Sequence, residues 1–408
     1  MLYRHGAKAI GALLLVAALP ACSNAPASDE PAGVGAGGQA TAGVAQQPAG
    51  ATQGGTTTLP TGGAAGQAPS GVGSAGQSGS PPEMPAACDP SALVCDSSLP
   101  LPATIKKAGF FPSAPDFTHV AAALTLFQPS LELWSNGLGK MRFVLLPQGT
   151  KIDNQDRERW APPVGAIFIK QFFADGPDGA STRPIETRLI RRTSDPDPLS
   201  EYEFAVYRWN DAGTDATLLD PFWDAVSVPL AVSGQSLTHV IPSRSDCDKC
   251  HAANDTKIIG FDELRLNSKL PGAAMTQLEA LAAMNAFKVA LPTDPARISV
   301  PADPVLEQVE GFVQGNCAHC HNGLDSSVFD LRYPTFVQNT VGQMTMGSGT
   351  NQGLRVDPGK PDSSILYRQV TRVMLPPGLN PMPPVGVQRA SDEGIALLRK
   401  WILALPPT

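Results

Sequence analysis

The stretch GNCAHCHNG, Gly315 to Gly323, places two cysteines and two histidines within the five positions Cys317 to His321. About seventy residues earlier, CDKCH, Cys247 to His251, repeats the same C-x-x-C-H spacing. Three chemistries use cysteine pairs of this kind: a four-cysteine zinc site, a redox disulfide, and covalent attachment of a porphyrin. Zinc ribbons usually separate their pairs by less and need no histidine after each pair. A thioredoxin-like pair needs a βαβ setting, and the flanking sequence has no such pattern.

Porphyrin attachment accounts for every position of the pattern. Two thiols three residues apart match the two vinyl groups on one porphyrin edge, and the next histidine then falls beneath the iron. The motifs therefore predict two covalent haem c groups. Cys247 and Cys250 carry one and Cys317 and Cys320 the other, with His251 and His321 as the proximal iron ligands. His319, at a variable position inside its motif, is expected at the surface and not as a ligand.

This chemistry calls for an exported protein. The chain opens MLYRHGAKAIGALLLVAALPACSN, with Arg4 and Lys8 ahead of an apolar run from Ala9 to Leu19. That is the layout of a secretory signal, and it is shorter than the roughly 20 apolar residues of a membrane-spanning helix. Leu19, Pro20, Ala21 and Cys22 resemble the lipobox of bacterial lipoproteins, in which the cysteine is lipidated and becomes the new N-terminus. The resemblance implies residues 1–21 as signal peptide and Cys22 as the lipid anchor. With Ser23 following, it also implies the periplasmic side of an outer membrane. The formal net charge is −7, and loss of Arg4 and Lys8 takes it to about −9. No basic run or arginine stripe accompanies it, so nucleic acid is not an expected partner.

Residues 22–87 are mostly Gly, Ala, Pro, Ser, Thr and Gln without an aromatic residue. Such a segment buries too little apolar surface to offset chain entropy. As a flexible tether it would span roughly 40–50 Å. Cys88 and Cys95 follow across a short loop in an oxidising compartment, and a disulfide is the expected pairing.

From residue 88 to 240 the texture is β. KMRFVLLP, GAIFIKQFF, RPIETRLIRR and YEFAVYRWN are rich in β-branched and aromatic residues and are separated by turn signals. They predict an antiparallel, sandwich-like module. Lys170, Glu186 and Arg188 within these runs are expected on a solvated or cross-strand-paired face. Beyond residue 240 the pattern is helical, giving an α+β chain. ADPVLEQVEGFVQG carries Asp303 as N-cap, Pro304 in the first turn, and an apolar stripe of Val305, Val309, Phe312 and Val313. SDEGIALLRKWILALPP starts at Ser391 and stops at Pro406, with Leu397, Leu398, Trp401, Ile402 and Leu405 on one face.

Residues 301–408 resemble a cytochrome c domain. The likeness rests on a first helix ending at C-x-x-C-H, a VDPGKPDSSILYRQV middle segment, an MPP loop, and a last helix with a tryptophan. It implies Met382 as distal iron ligand, with Met374 of VMLPP as its rival, and a crossing of the first and last helices at Gly311, Phe312 and Trp401. Met344 and Met346 are expected to be loop or core residues. A thioether ligand raises the reduction potential and closes the iron to substrates. Residues 241–300, with the β module, resemble exported di-haem proteins whose reaction is not defined. Met275, Met284 and His239 are the open candidates for the distal position of the haem at His251, and five-coordinate iron is the remaining option. Sixty residues are too few for an independent core, so the β module and the haem should complete it.

The function these features imply is electron transfer through two haems, with periplasmic or membrane redox proteins as partners. The alternatives are a di-haem peroxidase or oxidase, and a ligand-binding β module with redox output.

Overall fold

The computed structural model describes residues 96–407 apart from 118, 177–181, 196–200, 233, 253, 255, 325–328, 347–351, 374 and 376. The lipid site Cys22, the Cys88 and Cys95 pair, and Met374 lie outside the described residues. The described residues all belong to one compact unit, 64–408.

The frame is an antiparallel sheet of six strands in sequence order: β1 (Thr125–Phe127), β2 (Gly139–Leu145), β3 (Ile167–Asp175), β4 (Thr182–Arg192), β5 (Tyr202–Trp209) and β6 (Ala216–Leu218). β2 to β5 are the four runs read from the sequence. β7 (Val226–Val232) and β8 (Gln235–Ile241) form a separate two-stranded hairpin. The chain is thus mixed α and β with antiparallel sheets.

Strand alternation gives the sheet two apolar faces. One carries Phe143, Ile169, Leu189, Tyr207 and Trp209, and the preceding segment covers it with Phe110, Phe111 and Phe117. Phe117 makes edge-to-face contacts with Phe173 and Trp209 at 4.9 and 5.4 Å, and the Tyr207 hydroxyl donates to the Pro102 carbonyl at 2.8 Å. The helix in this cover, α1 (Ile105–Ala108), is a single turn capped by Thr104.

The other face has two kinds of cover. Phe172 and Val206 lie under the β7–β8 hairpin with Trp223, Val228, Leu230 and Ile241. Val144 and Phe168 pack with Phe261, Leu266, Leu278, Leu281 and Phe287, from the segment after the first C-x-x-C-H motif. α2 (Arg244–His251) carries that motif, and the segment after it contributes α3 (Glu263–Leu266) and α4 (Gln277–Ala283). It has no core of its own and shares one with the sheet, as its length requires.

The C-terminal helices are α5 (Pro304–Asn316), α6 (Phe336–Thr340), α7 (Ile365–Thr371) and α8 (Asp392–Ala404). Asp303 and Ser391 cap α5 and α8 by accepting from backbone N–H groups of the first turn. Val309, Val313, Phe336, Leu398, Trp401 and Ile402 form their core. The helix crossing differs in detail from the expectation. A Cβ on Gly394 would clash with the Phe312 ring, so this glycine is where α8 admits Phe312. Trp401 stacks beside Phe336 at 5.2 Å, and Gly311 faces Leu131 of the sheet module.

Residues 131–137 join the sheet module to these helices. Trp134 donates its backbone N–H to Asn316 Oδ1 and its indole N–H to the Arg389 carbonyl, each at 2.7 Å. Asn136 Oδ1 accepts from the Gln388 and Arg389 backbone N–H groups at 2.8 and 3.0 Å. One loop therefore holds both the approach to Cys317 and the chain that follows Met382.

Candidate functional site

In the first motif the helix itself aligns the chemistry. Cys247, Cys250 and His251 occupy positions i, i+3 and i+4 of α2, which share one helix face. A capping box between Ser243 and Asp246 fixes the start of the helix. The second motif is a turn at the end of α5, where the backbone N–H groups of Cys320 and His321 both donate to the Cys317 carbonyl.

His251 Nδ1 lies 2.6 Å from the Lys257 carbonyl, which only accepts, so Nδ1 carries the proton. Burial pushes the imidazole down to about 4, so the ring is neutral at physiological pH. Its Nε2 lone pair is left available, the arrangement that second-shell carbonyls impose on metal-binding histidines. The Phe204 ring stands 5.2 Å away. His321 sits beside Phe329 at 5.1 Å, its Nδ1 is buried without a hydrogen-bond partner, and burial lowers its basicity.

The two motifs meet. Ligand atoms of Cys250, His319 and Cys320 all lie within 4.8 Å of one another. Asn254 Nδ2 bridges the motifs by donating to both the Cys250 and His319 carbonyls at 2.9 Å. Contact with the Cys320 thiol is the main cause that lowers the Cys250 pKa, and the same contact raises that of Cys320. Burial raises Cys247 and lifts Cys317 to about 12. Cys247, Cys250, Cys317 and Cys320 are all unbridged. His319 is a correction to the sequence reading: it is 5% exposed, not a surface residue, and its Nδ1 has no partner.

A cavity of about 190 Å³ lies between the first motif, His319 and the sheet. Its lining includes Cys247, Cys250, His251 and His319, with Arg142, Lys170 and Arg188 from the sheet.

The Met382 loop reaches the same cavity through Pro383, Val385 and Val387. Met382 itself is half-buried, and its backbone N–H donates to the Gln369 carbonyl at 3.0 Å. Of the distal candidates for the His251 side, His239 lines the cavity. Its ring is already engaged, with Nε2 2.8 Å from Glu186 and Nδ1 3.5 Å from Asn136 Nδ2. Met275 is exposed before α4, and Met284 is half-buried at the end of that helix. Met344 and Met346 are exposed.

The charged sheet face, expected to be solvated or cross-strand-paired, differs at Glu186, which is fully buried and pairs with Arg188 on its own strand at 2.6 Å and with His239 of the hairpin. Across the strands, Arg142 stands opposite Lys170, and Lys170 opposite Arg188. The sequence reading also passed over Trp134, Asn136 and Asn316, whose polar positioning roles look in the sequence like ordinary turn residues.

No helix among the described residues is long and apolar enough to cross a membrane. Comparisons with protein-family models, with curated proteins and with solved structures find no match.

Proposed function

We propose that the chain is an exported di-haem c-type cytochrome, lipid-anchored at Cys22, that transfers electrons to or from periplasmic or membrane redox proteins. The observation that carries this reading is that Cys247, Cys250 and His251 of the first motif line one cavity with His319 of the second, with the four motif thiols unbridged and His251 Nε2 available. When bound, haem supplies reversible one-electron chemistry at its iron.

The residues present fit that group. Cys247 and Cys250 would hold one porphyrin and Cys317 and Cys320 the other, with His251 and His321 as proximal ligands. The Lys257 carbonyl fixes the His251 tautomer. In this reading residues 301–408 would form the cytochrome c domain, and Met382 would supply a thioether to its iron. Trp134 and Asn136 hold α5 and the Met382 loop in register with the sheet.

A second reading rests on the Cys250, His319 and Cys320 group. Two thiolates and an imidazole suit a soft divalent ion such as zinc. A pyridine haemochrome assay separates the two readings. Protein matured with cytochrome c assembly machinery is expected to contain two haems per chain, falling to one in Cys247→Ser/Cys250→Ser. Colourless protein carrying stoichiometric zinc would establish the second reading instead.

A further inference from the structure

Strand register places Arg142, Lys170 and Arg188 side by side on β2, β3 and β4, all facing the cavity at the first motif. Like charges directly opposite one another destabilise a sheet, and a desolvated charge is costly without a counter-charge. The nearby acids are already committed. Glu132 pairs with Arg142 at 3.3 Å and Lys140 at 3.5 Å. Glu186 pairs with Arg188 and His239, Asp246 with Lys249, and Asp262 with Arg265. Lys170 makes no ion pair among the described residues, and its recorded contact is with the Phe172 ring, 4.8 Å from the ammonium. Burial and the neighbouring Arg142, Lys140 and Arg188 charges lower its pKa. In a chain of net charge −7, this concentration of cations calls for an anion.

We propose that the Arg142, Lys170 and Arg188 row is the seat of a carboxylate, supplied in the mature protein by the propionate edge of the haem attached at Cys247 and Cys250. The assignment rests on the di-haem reading. The same cavity holds both attachment thiols and the cation row, so a porphyrin joined on one edge by thioethers can present its acidic edge to the sheet. Arg142 and Arg188 are held in place by Glu132 and Glu186, while Lys170 is the uncommitted charge that the carboxylate would engage. A free small carboxylate would have the same chemistry, and the test distinguishes the two sources.

The test compares wild-type holoprotein with Lys170→Met and Lys170→Arg. Haemochrome counts of two in all three show that attachment is intact, and circular dichroism checks the fold. Redox titration is expected to show one haem's midpoint potential falling in Lys170→Met, because losing a nearby cation favours the more positive oxidised iron. The other midpoint should hold, and Lys170→Arg should restore the first. Calorimetric titration with acetate and with inorganic phosphate addresses the free-ligand source. Acetate heat in the wild type that vanishes in Lys170→Met would assign the seat to a free carboxylate and overturn the propionate assignment. Unchanged midpoints with no acetate heat in either protein would overturn the carboxylate seat altogether. A haem count of zero would fail the di-haem reading and the propionate assignment together, leaving the acetate titration to decide the free-carboxylate case.

Discussion

Replacing Glu186 by alanine is expected to destabilise the protein by about 3–5 kcal/mol, the usual cost of removing one partner from a buried ion pair. Glu186 is fully buried, and its carboxylate accepts from Arg188 and His239 at 2.6 and 2.8 Å. Without it, the Arg188 guanidinium stands opposite Lys170 with no carboxylate of its own. Urea unfolding, read as a lower midpoint at unchanged slope, measures the loss. Burial alone would raise the Glu186 pKa, but Arg188 and His239 overcome it and hold the carboxyl at about 2, against 4.5 for an ordinary glutamate. A folded-state pKa below the unfolded value gives stability that is complete above about 4.5 and lost as pH falls toward about 2. Glu186→Gln should remove that part of the acid dependence. An alanine variant with wild-type stability would contradict the assigned pairing.

Gly315→Ala is expected to cost about 1–3 kcal/mol through overpacking. A Cβ at Gly315 would lie 2.9 Å from the Glu132 carbonyl oxygen and 3.0 Å from that of Leu131. Both are backbone atoms, so relief requires α5 and residues 131–132 to separate. That movement acts on the Trp134 to Asn316 hydrogen bond next to Cys317. Ordinarily alanine stabilises a helix relative to glycine by roughly 0.5–1 kcal/mol, so the sign of the change tests the close approach. Thermal unfolding reads it, and a raised melting temperature would show that the two segments are not in contact. Gly394→Ala makes a useful comparison, because its clash is with the end of the Phe312 ring and not with backbone.

The parts of the fold that sequence reveals are those with long local patterns. β2 to β5 are runs of seven to eleven residues with dense apolar content, and α5 and α8 announce themselves through Asp303, Pro304 and Ser391. β1 and β6, three residues each, are too short to show a period. β7 has Pro229 in its middle, which argues against a strand unless a hairpin edge tolerates it, as here opposite Thr238.

The site divides in the same way. The two C-x-x-C-H motifs are legible because their cysteines and histidine fall within five residues. The meeting of Cys250 with Cys320 is set by long-range packing across some seventy residues, which no local pattern encodes. His319 looks in the sequence like a variable, exposed position, yet it is buried. The cation row left a faint trace: Arg142, Lys170 and Arg188 share the parity of Val144, Phe168 and Ile190, which are inward-facing. Reading it required the strand register.

The most direct test of the di-haem account is peptide mass spectrometry on mature protein digested without reductant. The account predicts that the peptide containing Cys247 to His251 and the peptide containing Cys317 to His321 each carry one covalently bound haem. Unmodified motif peptides, or a disulfide joining Cys250 to Cys320, would contradict it.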